Sequence, residues 1–298
     1  MTNFADRLLE QIRRKQSPLC VGMDPKWDLL PPPFRTLEPE AALLRFSLEM
    51  VESLAELVPA MKFQVAFYER FGSAGFRALE QAVRRARALQ ILVIIDCKRG
   101  DIGSTAQEYA RAYLDEEGPL ACDAVTLNPY LGWDSLEPFL AFFPRGKGAF
   151  ALVRTSNPSA PDLQDLDVAG HPLFETVGNK VKEWGSPFVG ESGYSSLGAV
   201  VGATYPQEAE RLRQVLPDTF FLLPGYGTQG ASEADIALAF DRKGEGVLVN
   251  SSRAILFAYR DPIYVDLPPQ RYLDASQTAF KQATNRIRHA IDERMKDR

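Results

Sequence analysis

Short apolar runs recur along this chain, each rich in branched or small side chains and each ending on a polar or turn-forming residue. Leu19–Met23 stops at Asp24, Ala60–Val65 carries Lys62 and Gln64, and Ile91–Ile95 stops at Asp96. Ala124–Leu127 stops at Asn128, and Ala149–Val153 leads to Thr155 and Ser156. Ala199–Ala203 stops at Thr204, Phe220–Leu223 at Pro224-Gly225, and Gly246–Val249 at Asn250-Ser251. Runs this short and this apolar predict strands buried on both faces. Between them the spacing changes to that of helices. Pro39–Leu57 opens on a proline, which suits a first helical turn. Phe71–Leu89 and Pro206–Leu216 follow, and Ala275–Lys296 carries Phe280, Ala283, Ile287, Ile291 and Met295 along one face. The first residues, Met1–Gln16, form an amphipathic helix with Phe4, Leu8, Leu9 and Ile12 in one stripe.

Eight strands alternating with helices imply an α/β protein of the (β/α)8 or TIM-barrel class. No linker or shift of composition divides the 298 residues, so residues 1–298 read as one domain. A doubly wound sheet would not place polar residues at the end of every strand. In a barrel those ends form one face, where active sites lie. Asp24, Lys62, Asp96, Lys98, Asn128, Ser156, Gln229 and Arg253 are all expected there. Two loops carry extra chain. One is Lys26–Phe34, with three consecutive prolines; the other is Asn157–Leu197, expected to include an additional helix over Pro172–Trp184. Loops of this length on that face could close over a ligand or simply decorate it.

The most informative stretch is Asp96–Thr105. Asp96 and Lys98 are two apart, so on an extended chain they share a side, and Asp101 follows in the turn. Carboxylate, ammonium and carboxylate crowded at the end of an apolar strand are costly unless they pair or work. Gly100 and Gly103 leave room for a ligand to approach.

Composition narrows the possibilities. A net charge of −5 gives no reason to expect nucleic-acid or anionic-membrane binding, although it permits a local phosphate site. No stretch is long and apolar enough to span a membrane, and the first helix lacks the apolar core of a signal peptide, so a cytoplasmic protein is expected. Cys20, Cys97 and Cys122 fit neither a metal spacing nor a disulfide framework. With only two histidines, His171 and His289, a His-rich metal site is excluded.

A phosphate site is expected at the last two strands. Pro224–Gly230 has three glycines in six residues, which let backbone N–H groups reach an anion, and Gln229 adds an amide. Arg253 opens the helix after the eighth strand and can bind phosphate by paired hydrogen bonds. The loops after strands seven and eight are the recurring phosphate site of this fold.

With these residues in place, the chain resembles the orotidine 5′-phosphate decarboxylase family, in its longer bacterial form, over nearly its whole length. The most specific match is Asp96-x-Lys98-x-x-Asp101-Ile102-x-x-Thr105. Supporting matches are Val21–Pro25, Lys62-Phe63-Gln64, Val201–Thr204, Pro224-Gly225-x-Gly227-x-Gln229-Gly230 and Asn250–Arg253. The resemblance implies a homodimeric barrel that converts orotidine 5′-monophosphate to UMP and CO2, the last step of de novo UMP synthesis, with no metal or organic cofactor. It implies that Lys98 donates the proton to C6, and that Lys62, Asp96, Lys98 and Asp101 form an alternating charge network. In the family, the second aspartate and the following threonine, here Asp101 and Thr105, serve the neighbouring subunit's site. Asp24 and Lys62 resemble the ribose contacts and Ser156 the residue that reads the pyrimidine edge. Gln229 and Arg253 resemble the phosphate contacts, Gln229 also reaching toward the base. Two other functions fit the same barrel. One is a metal-dependent sugar-phosphate aldolase or decarboxylase, against which Lys62 stands where a metal ligand would be; the other is a catalytically silent nucleotide-binding barrel.

Overall fold

The computed structural model describes residues 2–227, 230–264 and 271–296. Its eight long strands are β1 (Leu19–Met23), β2 (Ala60–Gln64), β3 (Leu92–Arg99), β4 (Ala124–Leu127), β5 (Gly148–Arg154), β6 (Ser195–Val201), β7 (Thr219–Leu223) and β8 (Val247–Ser251). They pair in parallel, each with its neighbour in sequence, and β8 closes on β1. The expected (β/α)8 barrel is therefore the fold.

Alternation along the strands sorts side chains between two cores. Val21, Met61, Phe63, Val93, Ile95, Val125, Ala151 and Val249 face the surrounding helices. Cys20, Ala60, Leu92, Ile94, Ala124, Phe150, Phe220, Leu222 and Leu248 face the barrel interior. The N-terminal helix, Phe4–Lys15, closes the floor of that interior. Its Phe4, Ala5, Leu8 and Leu9 are buried with the inward-facing strand residues, and the Phe4 ring meets Phe150 edge-on at 6.0 Å. Gly148 makes this possible, because a Cβ there would lie 2.2 Å from the Phe4 ring. The apolar stripe thus belongs to the barrel plug. Each such side chain contributes on the order of 2 kcal/mol by leaving water.

Several expectations need correction. The third strand does not stop at Asp96. It continues to Arg99, with Lys98 at φ +46° and a register shift against β4 between Ile95 and Arg99. The sixth strand is Ser195–Val201, not Ala199–Ala203, because Ser195 satisfies its hydroxyl on Gly185 O and Leu197 N and so runs buried within the sheet. The expected additional helix is the ordinary crossover between β5 and β6: Leu173–Gly185 packs on both strands. The extra chain is instead a single helical turn, Pro161–Gln164, and a two-residue ribbon pairing Asp167–Val168 with His171–Pro172. The proline-rich loop is pinned to the outer helices, with Phe34 buried edge-on against Phe46 and Tyr272.

Candidate active site

At the C-terminal mouth of the barrel lies a cavity of about 470 Å³, within the usual range for a small-molecule site. The inward parity that fills the floor with apolar side chains continues upward into polar ones. Ala60 is followed on that face by Lys62 and Gln64, Ile94 by Asp96, Ala124 by Thr126, and Leu248 by Asn250. Each strand therefore delivers its last inward residue to the cavity.

Asp96 is the hub. Its Oδ2 accepts from Lys62 Nζ at 2.8 Å and from Gln64 Nε2 at 2.9 Å. Its Oδ1 accepts from Lys98 Nζ at 2.6 Å and from Thr126 Oγ1 at 2.9 Å. Thr126 Oγ1 also accepts from the Lys98 backbone N–H at 3.0 Å, which holds the left-handed residue in place. Four donors on one carboxylate leave it a single orientation. Burial alone would raise the Asp96 carboxyl, but the charges of Lys62 and Lys98 outweigh it and hold it well below the usual carboxylate range. Burial likewise works against the Lys62 ammonium. Asp96 and Asp24 more than offset it, so Lys62 sits above its ordinary value and is charged at neutral pH.

The two ammonium groups differ in access. The Lys62 side chain is 5% exposed and the Lys98 side chain 46%. Lys62 is locked between Asp96 and Asp24, the latter 4.0 Å away, whereas Lys98 reaches the open cavity. Asp24 Oδ1 is buried at the cavity wall and accepts no hydrogen bond among the described residues. Such an acceptor suits a ligand hydroxyl.

Of the expected site residues, Asp24, Lys62, Asp96, Lys98, Ser156 and Arg253 line the cavity together. Gln229 lies outside the described residues. Asn128 does not join the site. Pro129 turns the chain out of β4, and the Asn128 side chain caps that turn by accepting from Tyr130 N. Asp101 and Thr105 do not line the cavity of their own chain, and Asp101 Oδ1 accepts from Ile102 N instead of approaching Lys98. The expected crowding holds for Asp96 and Lys98, but not for Asp101. The helix that Arg253 opens is one turn, Arg253–Leu256, so the guanidinium itself is the main cationic feature there.

Sequence reading did not place Gln64, Thr126 or Asn250 in the site, although strand parity marks all three. Ser252, Tyr226 and Asn157 also line the cavity, from turns where no period applies. The described residues contain no group of three or more His, Cys, Asp or Glu side chains able to hold a metal, and no helix among them is long and apolar enough to cross a membrane.

Comparison with known proteins agrees with this geometry. Residues 17–264 match the family described as orotidine 5′-phosphate decarboxylase / HUMPS. The orotidine 5′-phosphate decarboxylase of Caldicellulosiruptor saccharolyticus is 40% identical, with 96% of this chain and 99% of that protein covered. That of Rhodopirellula baltica is 41% identical, covering 97% and 100%. The solved structure of Leishmania donovani OMP decarboxylase superposes with a TM-score of 0.77 at 32% identity, covering 97% of this chain and 99% of that one.

Proposed function

We propose how this chain, which belongs to the orotidine 5′-phosphate decarboxylase family, carries out its chemistry. The reaction is the decarboxylation of orotidine 5′-monophosphate to UMP and CO2, the last step of de novo UMP synthesis. Loss of CO2 from C6 leaves an electron pair in the plane of the ring, which the π system cannot delocalise. An ammonium held beside C6 stabilises that charge and then supplies the proton. Lys98 takes this role in our reading. The observation that carries it is the difference in access: Lys98 opens into the cavity, while Lys62 is buried between carboxylates. Lys62, Gln64 and Thr126 hold Asp96, and Asp96 holds Lys98. The ammonium is thereby oriented before substrate arrives, which avoids reorganisation during the reaction.

Asp24, whose Oδ1 accepts no hydrogen bond among the described residues, is assigned to a ribose hydroxyl together with Lys62. Ser156 is assigned to the pyrimidine edge, and Gln229 and Arg253 to the phosphate. The phosphate lies far from C6, and its binding energy can be used to lower the barrier at the ring. The direct test is to mix purified protein with orotidine 5′-monophosphate and follow the ultraviolet change, with and without exhaustive EDTA treatment. Turnover is expected in both arms. Loss on chelation with recovery on adding Mg²⁺ or Zn²⁺ would favour the metal-dependent aldolase reading.

Arg253→Ala is expected to lower kcat/KM for the nucleotide by about 2–5 kcal/mol, as for loss of a charge partner, and to leave a substrate without the phosphate almost unaffected. Equal losses on both substrates would make Arg253 a structural residue.

The whole chain, 1–298, is read as one domain that works as a cytoplasmic homodimer with shared sites. Asp101 and Thr105 point this way because they lie outside their own cavity. The loops after the adjacent strands β3 and β4 also expose large apolar side chains, Ile102, Tyr130 and Leu131. Mixing Lys98→Ala chains with Asp101→Ala chains tests it. Each homodimer has every site damaged. In a mixed dimer one site collects both changes and the other neither, so about a quarter of wild-type activity should return after random exchange. No recovery, with exchange confirmed by mass spectrometry of tagged chains, would show that Asp101 does not serve the partner.

A further inference from the structure

Thr155, Ser156 and Asn157 form one wall of the cavity, and among the described residues no hydrogen bond reaches them from another wall. The contacts that fix them come from behind. Gln164, on the one-turn helix Pro161–Gln164, clamps Thr155 twice: its Oε1 accepts from Thr155 N at 2.9 Å and its Nε2 donates to Thr155 Oγ1 at 2.6 Å. Thr155 Oγ1 in turn donates to Asn157 Oδ1 at 2.6 Å. Thr204 Oγ1 donates to Ser156 O at 3.3 Å. Gly202 lets the wall pack close, since a Cβ there would stand 2.9 Å from Ser156 Cα.

Behind Gln164 stands Arg154, fully buried at the end of β5. Its guanidinium donates to Glu208 through two nitrogens, pairs with Asp165 at 3.0 Å and donates to Gln164 Oε1 at 3.3 Å. It also stacks over the Tyr205 ring, 4.1 Å from the centroid. Tyr205 and Glu208 follow β6, whereas Gln164 and Asp165 follow β5. One buried cation therefore ties together the loops on both sides of the wall.

We infer that Gln164, backed by Arg154, is a positioning residue for recognition of the pyrimidine ring, and that the insertion carrying it is a buttress and not a lid. Gln164 does not line the cavity, so it acts through Thr155 and the peptide that carries Ser156. The serine side chain is short, so its hydroxyl goes where its backbone goes, and displacement by about 1 Å is enough to cost heavily at a reacting site. This inference rests on the assignment of Ser156 to the base.

The experiment compares inhibition by UMP, which carries the ring, with inhibition by ribose 5-phosphate, which does not. Gln164→Met keeps the volume and removes both hydrogen bonds to Thr155 together with the one accepted from Arg154. It should raise the inhibition constant of UMP about tenfold, leave that of ribose 5-phosphate within about twofold, and raise KM for the substrate. Thr155→Val removes the hydroxyl half of the clamp, while the residue 155 backbone N–H still donates to Gln164, and should shift the ratio the same way by a smaller factor, which guards against a folding defect in one variant. Parallel shifts for both ligands, or no shift in either variant, would overturn the inference even if the thermal midpoint falls. Ser156→Ala separates the two readings. If it leaves the ratio unchanged, the base assignment fails. A ratio that still moves with Gln164→Met then places the buttressed contact at Thr155 or Asn157.

Discussion

Lys98→Ala is expected to abolish turnover, lowering kcat by at least about 10⁴-fold, the combined scale of a lost proton donor and a lost charge stabiliser. The chain should still fold. The Lys98 side chain is half exposed at the mouth of the cavity, and its removal leaves Asp96 with Lys62, Gln64 and Thr126 as donors. Lys62 cannot substitute, because it is buried and bound to Asp96 on the far side of that carboxylate. The check is steady-state kinetics on the purified variant, with circular dichroism to confirm the fold. A kcat within tenfold of wild type would remove Lys98 from the chemistry.

Asp96→Asn is expected to damage stability and activity together. It leaves two ammonium groups facing a neutral side chain, with Asp24 at 4.0 Å from Lys62 as the remaining close carboxylate. Breaking a buried pair by removing one charge costs about 3 kcal/mol. The uncoupled Lys98 should lose its fixed orientation and kcat should fall by about 10²–10³-fold. The pH dependence gives a second reading. The Asp96 carboxyl in the fold lies below its ordinary value of 3.8. Its contribution is therefore fully present above about pH 4 and is lost as pH falls through the depressed folded value. The stability difference between wild type and variant, measured by urea denaturation, should be constant near neutrality and shrink below pH 4. A difference under about 0.5 kcal/mol at pH 7 would mean that the four-donor arrangement around Asp96 is not an electrostatic unit.

The charged cluster illustrates how far local pattern reaches. The spacing Asp96-x-Lys98 correctly announced a contact, now seen at 2.6 Å. The expected reason was a regular pleat. The observed reason is a bulge, with Lys98 left-handed and its N–H bonded to Thr126 from the next strand. No reading of residues 96–105 alone could supply Thr126. The same holds for Asn128. Its position after β4 suggested a site residue, but Pro129 turned the chain and gave the side chain a cap to make.

Runs of apolar residues and the polar residues ending them were enough to indicate eight strands, a closed barrel and the face formed by the strands' C-terminal ends, because short branched apolar runs and a change to helical spacing are properties of local sequence. The tertiary structure decided the rest. Only the pairing of β2 and β4 on either side of β3 brings Lys62 and Thr126 onto the Asp96 carboxylate. Only packing sends the stripe of Phe4, Leu8 and Leu9 into the barrel floor. Only the fold sets Gln164 and Glu208, 44 residues apart in sequence, on either side of Arg154. In each case the partners are distant in the chain, and what pairs them, burial of apolar surface or attraction between charges in a site shielded from water, exists only once the chain has folded around them.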